Sequence, residues 1–146
     1  VAFTFDKAYP DMKGKVAGAG VGSTIFAVKP GDGSAREQAA SCQRVLGASA
    51  NIANEYATKR YRSNLINWGM LPFLYKDGDK NLPFANDDYV FIPGVKKMIA
   101  EKLPSITAYA IKKDGKINSF ELSVGDLTDD ERKIILAGCL INFYRE

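Results

Sequence analysis

The chain has 146 residues, of which 46% are hydrophobic and 25% charged, and 20 basic against 17 acidic side chains give a net charge of +3. These values are ordinary for one globular domain, which at this length buries about two-thirds of its unfolded surface. The positive charge is too small to indicate nucleic-acid binding by itself.

The amino-terminal region predicts no site. Residues 1–15 show no clear periodicity and predict an edge element or a linker. Residues 16–23 contain Gly18, Gly20 and Gly22 at a spacing of two. This is neither G-x-G-x-x-G nor a P-loop, because no lysine stands directly before Ser23 or Thr24. We therefore expect these glycines to provide a close-packed or flexible approach to the strand that follows.

The next stretch predicts a strand, a glycine-bearing loop and a helix. Residues 24–28 form an apolar run typical of a buried strand. Ala35, Ala39, Cys42 and Leu46 then fall at i, i+4, i+7 and i+11, which predicts a helix with a buried face of small residues. Gly47 is a normal residue for its carboxyl end.

Two interpretations of the loop before this helix are open. Ser34-x-x-Glu37 matches a capping box, which would make Ser34 a helix cap without chemistry. Alternatively, the loop amides and the positive end of the helix dipole suit an anion, and Arg36 adds a fork that fits a carboxylate. Local physics alone favours the cap.

The remaining elements alternate before they end in a hairpin and a helix, which predicts a mixed α/β fold. The Asp-Gly pair at residues 114–115 is the hairpin signal, and Thr128-x-x-Glu131 is a second capping box. The predicted strands are residues 48–53, 70–75, 89–92, 106–111 and 117–122, and Pro72 predicts that the second of these is an edge strand or lies at a strand end. The predicted helices are residues 55–68 (capped by Asn54, ended by Gly69), residues 95–102, and one from residue 128 that includes Ile134, Ile135 and Leu140. Residues 76–87 predict a loop.

The helix predicted at 55–68 carries a basic cluster. Lys59, Arg60 and Arg62 lie within one turn, near Tyr56 and Tyr61. A solvated face is the favoured interpretation, because charge runs usually form one. The alternatives are contact with an acidic ligand or partner domain, or a patch for nucleic acid.

Several site classes and settings are excluded or disfavoured. Histidine is absent, so a Ser-His-Asp triad cannot be built. Cys42 and Cys139 give neither a disulfide framework nor a metal-ligand spacing. No apolar run approaches about 18 residues, so we expect no membrane span. A reduced, cytoplasmic setting is the default expectation.

Three segments carry a family resemblance. They are GDGSAREQAA (31–40), KRYRSNLINWGMLPFLY (59–75) and LTDDERKIILAGCLINFYRE (127–146). In this order they resemble G-x-G-S-S-R-E-H-A, R-S-N-L-x-x-x-G-x-L-P-L and T-x-x-E-x-x-x-I-x-x-G-G-x-L-N. These are segments of the C-terminal swivelling domain of the aconitase family of iron–sulfur hydro-lyases.

The resemblance implies a fold and a division into domains. It implies an α/β swivelling β/β/α domain, with a mixed sheet flanked by helices. We expect residues 1–146 to form this single domain. Because the chain does not begin with methionine, we expect it to be a fragment of a longer hydratase.

The resemblance also implies the site residues. Ser34 corresponds to the catalytic base of the family, and Arg36 to the arginine that binds a substrate carboxylate. Glycine at 31 and 33 would let the backbone approach substrate oxygens, and Ala35 keeps its backbone N–H for the substrate. Loop amides, the helix dipole and Arg36 would stabilise the serine alkoxide.

The implied reaction adds or removes water in a di- or tricarboxylic acid. Its 4Fe-4S cluster would be bound by other domains, because two cysteines cannot form a three-cysteine site. This domain alone should be inactive. Its expected partners are the small carboxylic-acid substrate and the other domains of the enzyme or a large subunit, with neither membrane nor nucleic acid expected.

The chain departs from the family pattern at several positions. Ala35 replaces the second serine of G-S-S-R, Gln38 the motif histidine, and Lys59 a frequent arginine. No arginine precedes Arg36, so we expect a further substrate-binding arginine of the family to precede residue 1.

The R-S-N-L segment favours an aconitase-type tricarboxylate substrate. Two alternatives are open. One is a separately encoded small subunit of an isopropylmalate-type dehydratase. The other is a noncatalytic module whose residues 59–62 contact RNA or a partner.

Overall fold

The computed structural model describes residues 20–78 and 80–145. The predicted element at residues 1–15, and the glycine-bearing run as far as residue 19, lie outside this range. Within it, strands and helices follow one another in the predicted order. They are β1 (Ser23–Ala27), α1 (Arg36–Val45), β2 (Ala48–Ala53), α2 (Lys59–Asn67), β3 (Leu71–Leu74), β4 (Tyr89–Phe91), α3 (Val95–Ala100), β5 (Ile106–Ile111), β6 (Ile117–Leu122), α4 (Asp129–Ala137) and α5 (Leu140–Phe143).

The described strands form two three-stranded sheets. The first is parallel, in the order β1-β2-β3, and the second is antiparallel, in the order β4-β5-β6. They meet where Leu74 and Ser123 exchange backbone hydrogen bonds of 2.6 and 3.0 Å. Pro72 lies in β3, at the edge of the parallel order, where its missing N–H is tolerated. The α/β fold class is therefore confirmed.

Two hydrophobic cores hold these layers together. The larger core joins the two sheets and centres on buried side chains such as Ile52, Phe73 and Phe120. Edge-to-face contacts between Tyr75 and the rings of Phe84 and Phe120 extend it beneath the 76–87 loop. The smaller core lies between α1, α2 and β2, and it contains Ala40, Ala48, Tyr61, Leu65 and Met70. The smaller core therefore lies beneath the loop that carries Ser34.

The prediction of which residues form the buried face of α1 is wrong. Ala35, Ala39, Cys42 and Leu46 are all exposed, and Leu46 retains 82% of its surface. Ala40 is instead the fully buried residue of this helix. The helix packs against α2, so the contact with Tyr61 and Leu65 selects the face that carries Ala40. The helical spacing of Ala35, Ala39 and Cys42 therefore did not indicate which side of α1 would be covered by α2.

Two predicted helix boundaries also change. Asn54 does not cap α2; its Nδ2 donates to the carbonyls of Tyr75 (2.9 Å) and Gly78 (3.1 Å). The cap is Thr58, whose Oγ1 accepts from the Tyr61 N–H. The carboxyl-terminal helix divides at Gly138, which ends α4 with φ +95°, so that Leu140 lies on the separate helix α5.

Other local predictions are confirmed. Thr128 and Glu131 form both hydrogen bonds of the capping box, at 3.2 and 2.9 Å. The hairpin pairs Ile111 with Ile117 across the 112–116 turn. Gly22 meets Ser49 and the Gly47 carbonyl so closely that a Cβ would clash, which confirms the close approach expected there.

Among the described helices, none has the length and apolar character that a membrane crossing requires.

A nearly buried ion pair gives a testable pH dependence. The Asp88 side chain is 6% exposed, and its Oδ2 accepts from Lys112 Nζ at 2.7 Å and from the Ala85 N–H at 2.8 Å. The hydrogen bond from Lys112 lowers the pKa of Asp88. Because the folded-state pKa is depressed, the stabilisation is present above the unfolded value of about 3.9 and is lost as pH falls through the folded-state pKa.

We therefore expect the Asp88→Asn variant to lose part of the acid dependence of unfolding. Urea midpoints measured from neutral pH to about pH 2 should fall less steeply than in the wild type, since the group with the depressed pKa is gone. Asp87→Asn is the matched control, because Asp87 lies in the same turn and its pair with Lys113 is exposed and 3.5 Å long. Parallel curves for the wild type and Asp88→Asn would contradict the assignment.

Candidate functional site

The Ser34 loop lies at the carboxyl edge of the parallel sheet. It follows β1, and the segment that leads into α2 follows the neighbouring strand β2. Two backbone hydrogen bonds join these segments, from Glu55 N to Val28 O (3.0 Å) and from Ala57 N to Pro30 O (2.9 Å). The edge where parallel strands end is where ligands bind in open α/β sheets.

Gly31 anchors the beginning of the loop. Its φ is +97°, and a Cβ there would lie 2.5 Å from atoms of the Tyr61 side chain. Its carbonyl accepts hydrogen bonds from Arg36 Nε (3.3 Å) and Thr58 Oγ1 (3.2 Å). Only glycine satisfies both the backbone angle and the contact with the ring. The loop is therefore held to the start of α2.

The first turn of α1 has no side-chain cap, so the Ser34–Glu37 capping box is wrong. The N-cap position is Ala35, and the first helical bond runs from Ala39 N to Ala35 O at 3.0 Å. A capping box requires the hydroxyl at the N-cap itself, and Ser34 lies one residue before it. The leading amides of α1 thus have no intrahelical acceptor and point toward the Ser34 end. Together with the helix dipole they suit an anion.

The predicted site residues surround this helix start. Ser34, Gly33 and Ala35 are exposed, and Arg36 is half-buried. In the part of the chain that the structure describes, no heavy atom beyond its own chain neighbours lies within 4 Å of the Cβ position of Gly33, so the space beside this backbone is open. Arg36 uses Nε for the Gly31 carbonyl, and its terminal nitrogens have no partner among the residues that the structure describes. An open backbone, an exposed serine and a half-buried arginine thus lie next to one another along the chain at the start of α1.

The structure adds residues that the sequence did not indicate. Thr58 binds the Gly31 carbonyl, and the buried side chain of Tyr61 lies against Gly31. Thr58 had a readable signal, because threonine directly before the basic run is a good helix cap. Tyr61 had none, since a tyrosine between charged residues does not indicate burial.

The basic cluster on α2 is not a single solvated face. Lys59 and Arg60 are exposed, whereas Arg62 Nη2 donates to the carbonyls of Val124 (2.9 Å) and Asp126 (2.8 Å). Arg62 therefore ties α2 to the segment after β6.

Tyr56, which precedes α2, has a structural role. Its Oη donates to Phe73 O at 2.9 Å, and burial raises the pKa of Tyr56 well above its usual value. Its phenol is thus a structural donor rather than an acid.

The described residues do not fit a metal cluster. Across residues 20–78 and 80–145, no three His, Cys, Asp or Glu side chains lie together in a way that could hold a metal ion. Cys42 is an exposed thiol on α1, and Cys139 is a half-buried thiol between α4 and α5. This part of the chain therefore offers no set of ligands for an iron–sulfur cluster.

Comparisons with known proteins agree with this architecture. Residues 11–78 match the family model of the aconitase C-terminal domain, so the match includes the whole parallel sheet and the Ser34 loop. Aconitate hydratase A of Rickettsia bellii is 30% identical over 130 residues, or 87% of this chain and 14% of the relative. The protein of the same name from Rickettsia felis is 30% identical over 125 residues (84% and 14%), and that from Pseudomonas aeruginosa is 28% identical over 115 residues (77% and 12%).

The chain therefore spans only a small part of the length of these relatives. It covers 14% of the Rickettsia bellii protein and 12% of the Pseudomonas aeruginosa protein. The matched region contains the loop GDGSAREQAA at the carboxyl edge of the parallel sheet. The model match and the aligned relatives together cover most of the chain. The chain belongs to the aconitase family, as a relative of its C-terminal domain.

Proposed function

We propose that the chain is the C-terminal domain of an aconitase-like hydro-lyase that acts on a di- or tricarboxylic acid. Ser34 serves as the base, and Arg36 binds a substrate carboxylate. The observation that supports this best is the uncapped start of α1, where the exposed Ser34 and the half-buried Arg36 adjoin. A serine used as a helix cap would have its hydroxyl occupied by a backbone N–H of the first turn, and among the described residues Ser34 makes no such bond.

The chemistry assigned to Ser34 is proton transfer. Its alkoxide accepts the proton from the carbon next to a carboxylate, and the electrons of that C–H bond form the carbon–carbon double bond of the product. At the same time the C–O bond on the neighbouring carbon breaks, and the hydroxyl group takes up a proton and leaves as water on the side of the substrate that the other domains would cover. A serine alkoxide needs strong stabilisation at neutral pH. The amides of the first turn of α1 and the Arg36 guanidinium supply positive potential at this point. Hydration runs the same transfer in reverse.

Arg36 is suited to carboxylate binding by its geometry. Its Nε bond to the Gly31 carbonyl fixes the guanidinium plane. The two terminal nitrogens can then donate in parallel to the two oxygens of a carboxylate. Gly31, Gly33 and Ala35 contribute backbone amides, because no side chain blocks the space beside Gly33. The missing hydroxyl at Ala35 leaves its N–H in place.

The exposure of this site supports an enzyme completed by other domains. Ser34 and Ala35 face solvent, and the reaction requires a site closed to water. We propose that residues 1–146 form one domain of a longer enzyme, inactive alone, in a reduced cytoplasmic setting. Other domains or a large subunit would carry the 4Fe-4S cluster and the remaining substrate contacts. The commitment of Arg62 to backbone carbonyls weakens the RNA-binding alternative, because the basic cluster loses one of its three cations.

The proposal is tested with the full-length protein, expressed without oxygen and with its cluster reconstituted. Absorbance of the unsaturated acid reports turnover over a panel of tricarboxylates and dicarboxylates. We expect turnover of at least one acid, with a preference for a tricarboxylate. A cluster-loaded protein that turns over none of them would overturn the proposal.

Arg36→Gln should raise KM for the best acid by about 10- to 100-fold, since a charge-assisted pair to a carboxylate is lost. Arg44→Gln is the matched control, because Arg44 lies on the same helix and also donates to a backbone carbonyl, that of Ala48 at 3.0 Å. KM should stay near the wild-type value in this control. An equal rise in both variants would assign the effect to packing of α1 instead of substrate binding.

A further inference from the structure

The side chain of Tyr61 forms the floor of the Ser34 loop. It is 2% exposed, in the core between α1, α2 and β2. Gly31 lies so close to its ring that a Cβ on Gly31 would be 2.5 Å from Tyr61 Cβ, Cγ and Cδ1. Gly31 is three residues before Ser34. The position of the loop therefore depends on where this ring lies.

The ring is held from two further elements through its hydroxyl group. Asn51 Nδ2 on β2 donates to Tyr61 Oη at 2.8 Å, and Gln43 Nε2 on α1 donates to it at 3.0 Å. Asn51 is a fully buried polar residue. The strand, α1 and α2 thus meet at one phenol oxygen. Three elements fix the orientation of the ring.

This polar cluster is not an efficient source of stability. Asn51 Oδ1 and Gln43 Oε1 are buried, and neither has a hydrogen-bond partner among residues 20–78 and 80–145. Unpaired buried oxygens destabilise a fold, and an apolar core at this place would avoid them. A role in fixing the orientation of the Tyr61 ring accounts for the presence of Gln43 and Asn51, which their contribution to stability alone does not explain.

The same contacts extend to Arg36. The Gly31 carbonyl accepts from Arg36 Nε and from Thr58 Oγ1, and Thr58 Oγ1 accepts from the Tyr61 N–H at 3.2 Å. Displacing Gly31 would therefore also move the guanidinium of Arg36. Tyr61 contacts the loop at its first residue, and the loop carries both groups to which we assign chemistry.

We propose that Tyr61 is a positioning residue, which through Gly31 fixes Ser34 and Arg36 in the geometry that the substrate needs. This inference rests on the proposed function of the site. Tyr61 touches neither substrate nor reacting atoms, and it acts through the loop. Asn51 and Gln43 support it by holding the phenol.

The positioning is tested first without activity, by NMR of the 146-residue chain. In Tyr61→Phe, we expect the amide signals of residues 31–36 to shift or broaden and to exchange with solvent faster than in the wild type. Gln43→Met removes one hydrogen bond to the phenol and should produce a smaller change in the same signals. Urea unfolding curves verify that each variant is folded.

Tyr75→Phe is the matched control. Tyr75 is also a buried tyrosine, at 5% exposure, but its ring packs on Phe84 and Phe120 in the other core. Its variant should leave the signals of residues 31–36 in place. Unchanged signals in Tyr61→Phe, or equal changes in both variants, would overturn the inference.

Activity of the full-length, cluster-loaded protein provides the second measurement. We expect kcat to fall by about tenfold in Tyr61→Phe and about 100-fold in Tyr61→Leu, since small misplacements of reacting groups have effects of this size. Partial retention in the phenylalanine variant reflects the ring that still lies against Gly31. Tyr75→Phe should keep wild-type kcat.

The two failures are distinguishable. If Ser34→Ala loses turnover while Tyr61→Leu keeps wild-type kcat and KM, the positioning role is wrong and the proposed function stands. If the cluster-loaded wild type turns over none of the acids, the proposed function is wrong. If the wild type is active and Ser34→Ala keeps its turnover, Ser34 is not the base, and the proposed role of Tyr61 in positioning that base fails with it.

Discussion

We expect the Ser34→Ala variant of the full-length protein to lose turnover by about 100- to 10,000-fold, the range that removal of a general base produces. The melting temperature should not change. Replacing a serine that caps a helix destabilises by about 0.5–2 kcal/mol, but α1 has no side-chain cap, and Ser34 is exposed. Turnover and thermal unfolding of the same preparation therefore separate the two interpretations of Ser34.

Ser41→Ala is the matched control for Ser34. Ser41 lies on the same helix, and its hydroxyl donates to the Gln38 carbonyl at 3.4 Å, away from the helix start. We expect wild-type turnover and a nearly unchanged melting temperature in this variant. Full turnover in Ser34→Ala, with the cluster intact, would refute Ser34 as the base. A lowered melting temperature with full turnover would return Ser34 to a structural role.

The largest effect on stability is expected from Gly69→Ala. Gly69 follows α2 with φ +75°, and a Cβ there would overlap the Gly138 carbonyl oxygen and lie 2.9 Å from the Gly138 carbonyl carbon. The obstacle is backbone, so no rotamer change relieves it. Overpacking and a left-handed alanine together should destabilise the fold by about 3–5 kcal/mol, measured by urea unfolding at neutral pH.

Gly47→Ala separates the two contributions. Gly47 also ends a helix with positive φ, at +89°, but no heavy atom of another described residue, its chain neighbours apart, lies within 4 Å of its Cβ position. Only the backbone angle opposes this substitution, so we expect a loss of about 1–2 kcal/mol. Equal losses at both glycines would contradict the close approach between the end of α2 and the junction of α4 with α5.

The elements with complete local signals were predictable from the sequence. The strand at 48–53 and both hairpin strands have the predicted bounds, since their apolar runs lie between turn residues. The Thr128 capping box formed because both of its partners lie within one turn. Gly47 and Gly69 end helices as expected, because glycine, which has no Cβ, adopts the positive φ that a helix end requires without steric cost.

The predictions that failed needed knowledge of a distant neighbour. Ala39 and Leu46 shared a helical stripe, yet α2 packs on the side of Ala40. Asn54 could have capped a helix, but its amide binds the carbonyls of Tyr75 and Gly78 instead. In each case the local sequence is compatible with two arrangements, and a contact made elsewhere in the fold selects one.

The same division holds for the candidate site. The sequence alone determined that Gly31, Gly33, Ser34, Ala35 and Arg36 lie together at a strand-to-helix junction, because they are contiguous and the flanking patterns are strong. The family resemblance came from the same contiguous segments, and it was confirmed.

Only the tertiary structure decided that Ser34 does not cap α1 and that the loop lies on the ring of Tyr61. Gln43, Asn51 and Tyr61 come from α1, β2 and α2, and their hydrogen bonds span up to 18 residues of sequence. Such contacts leave no periodic or spacing signal. Their formation depends on how the two helices pack on the sheet, which local propensity does not specify.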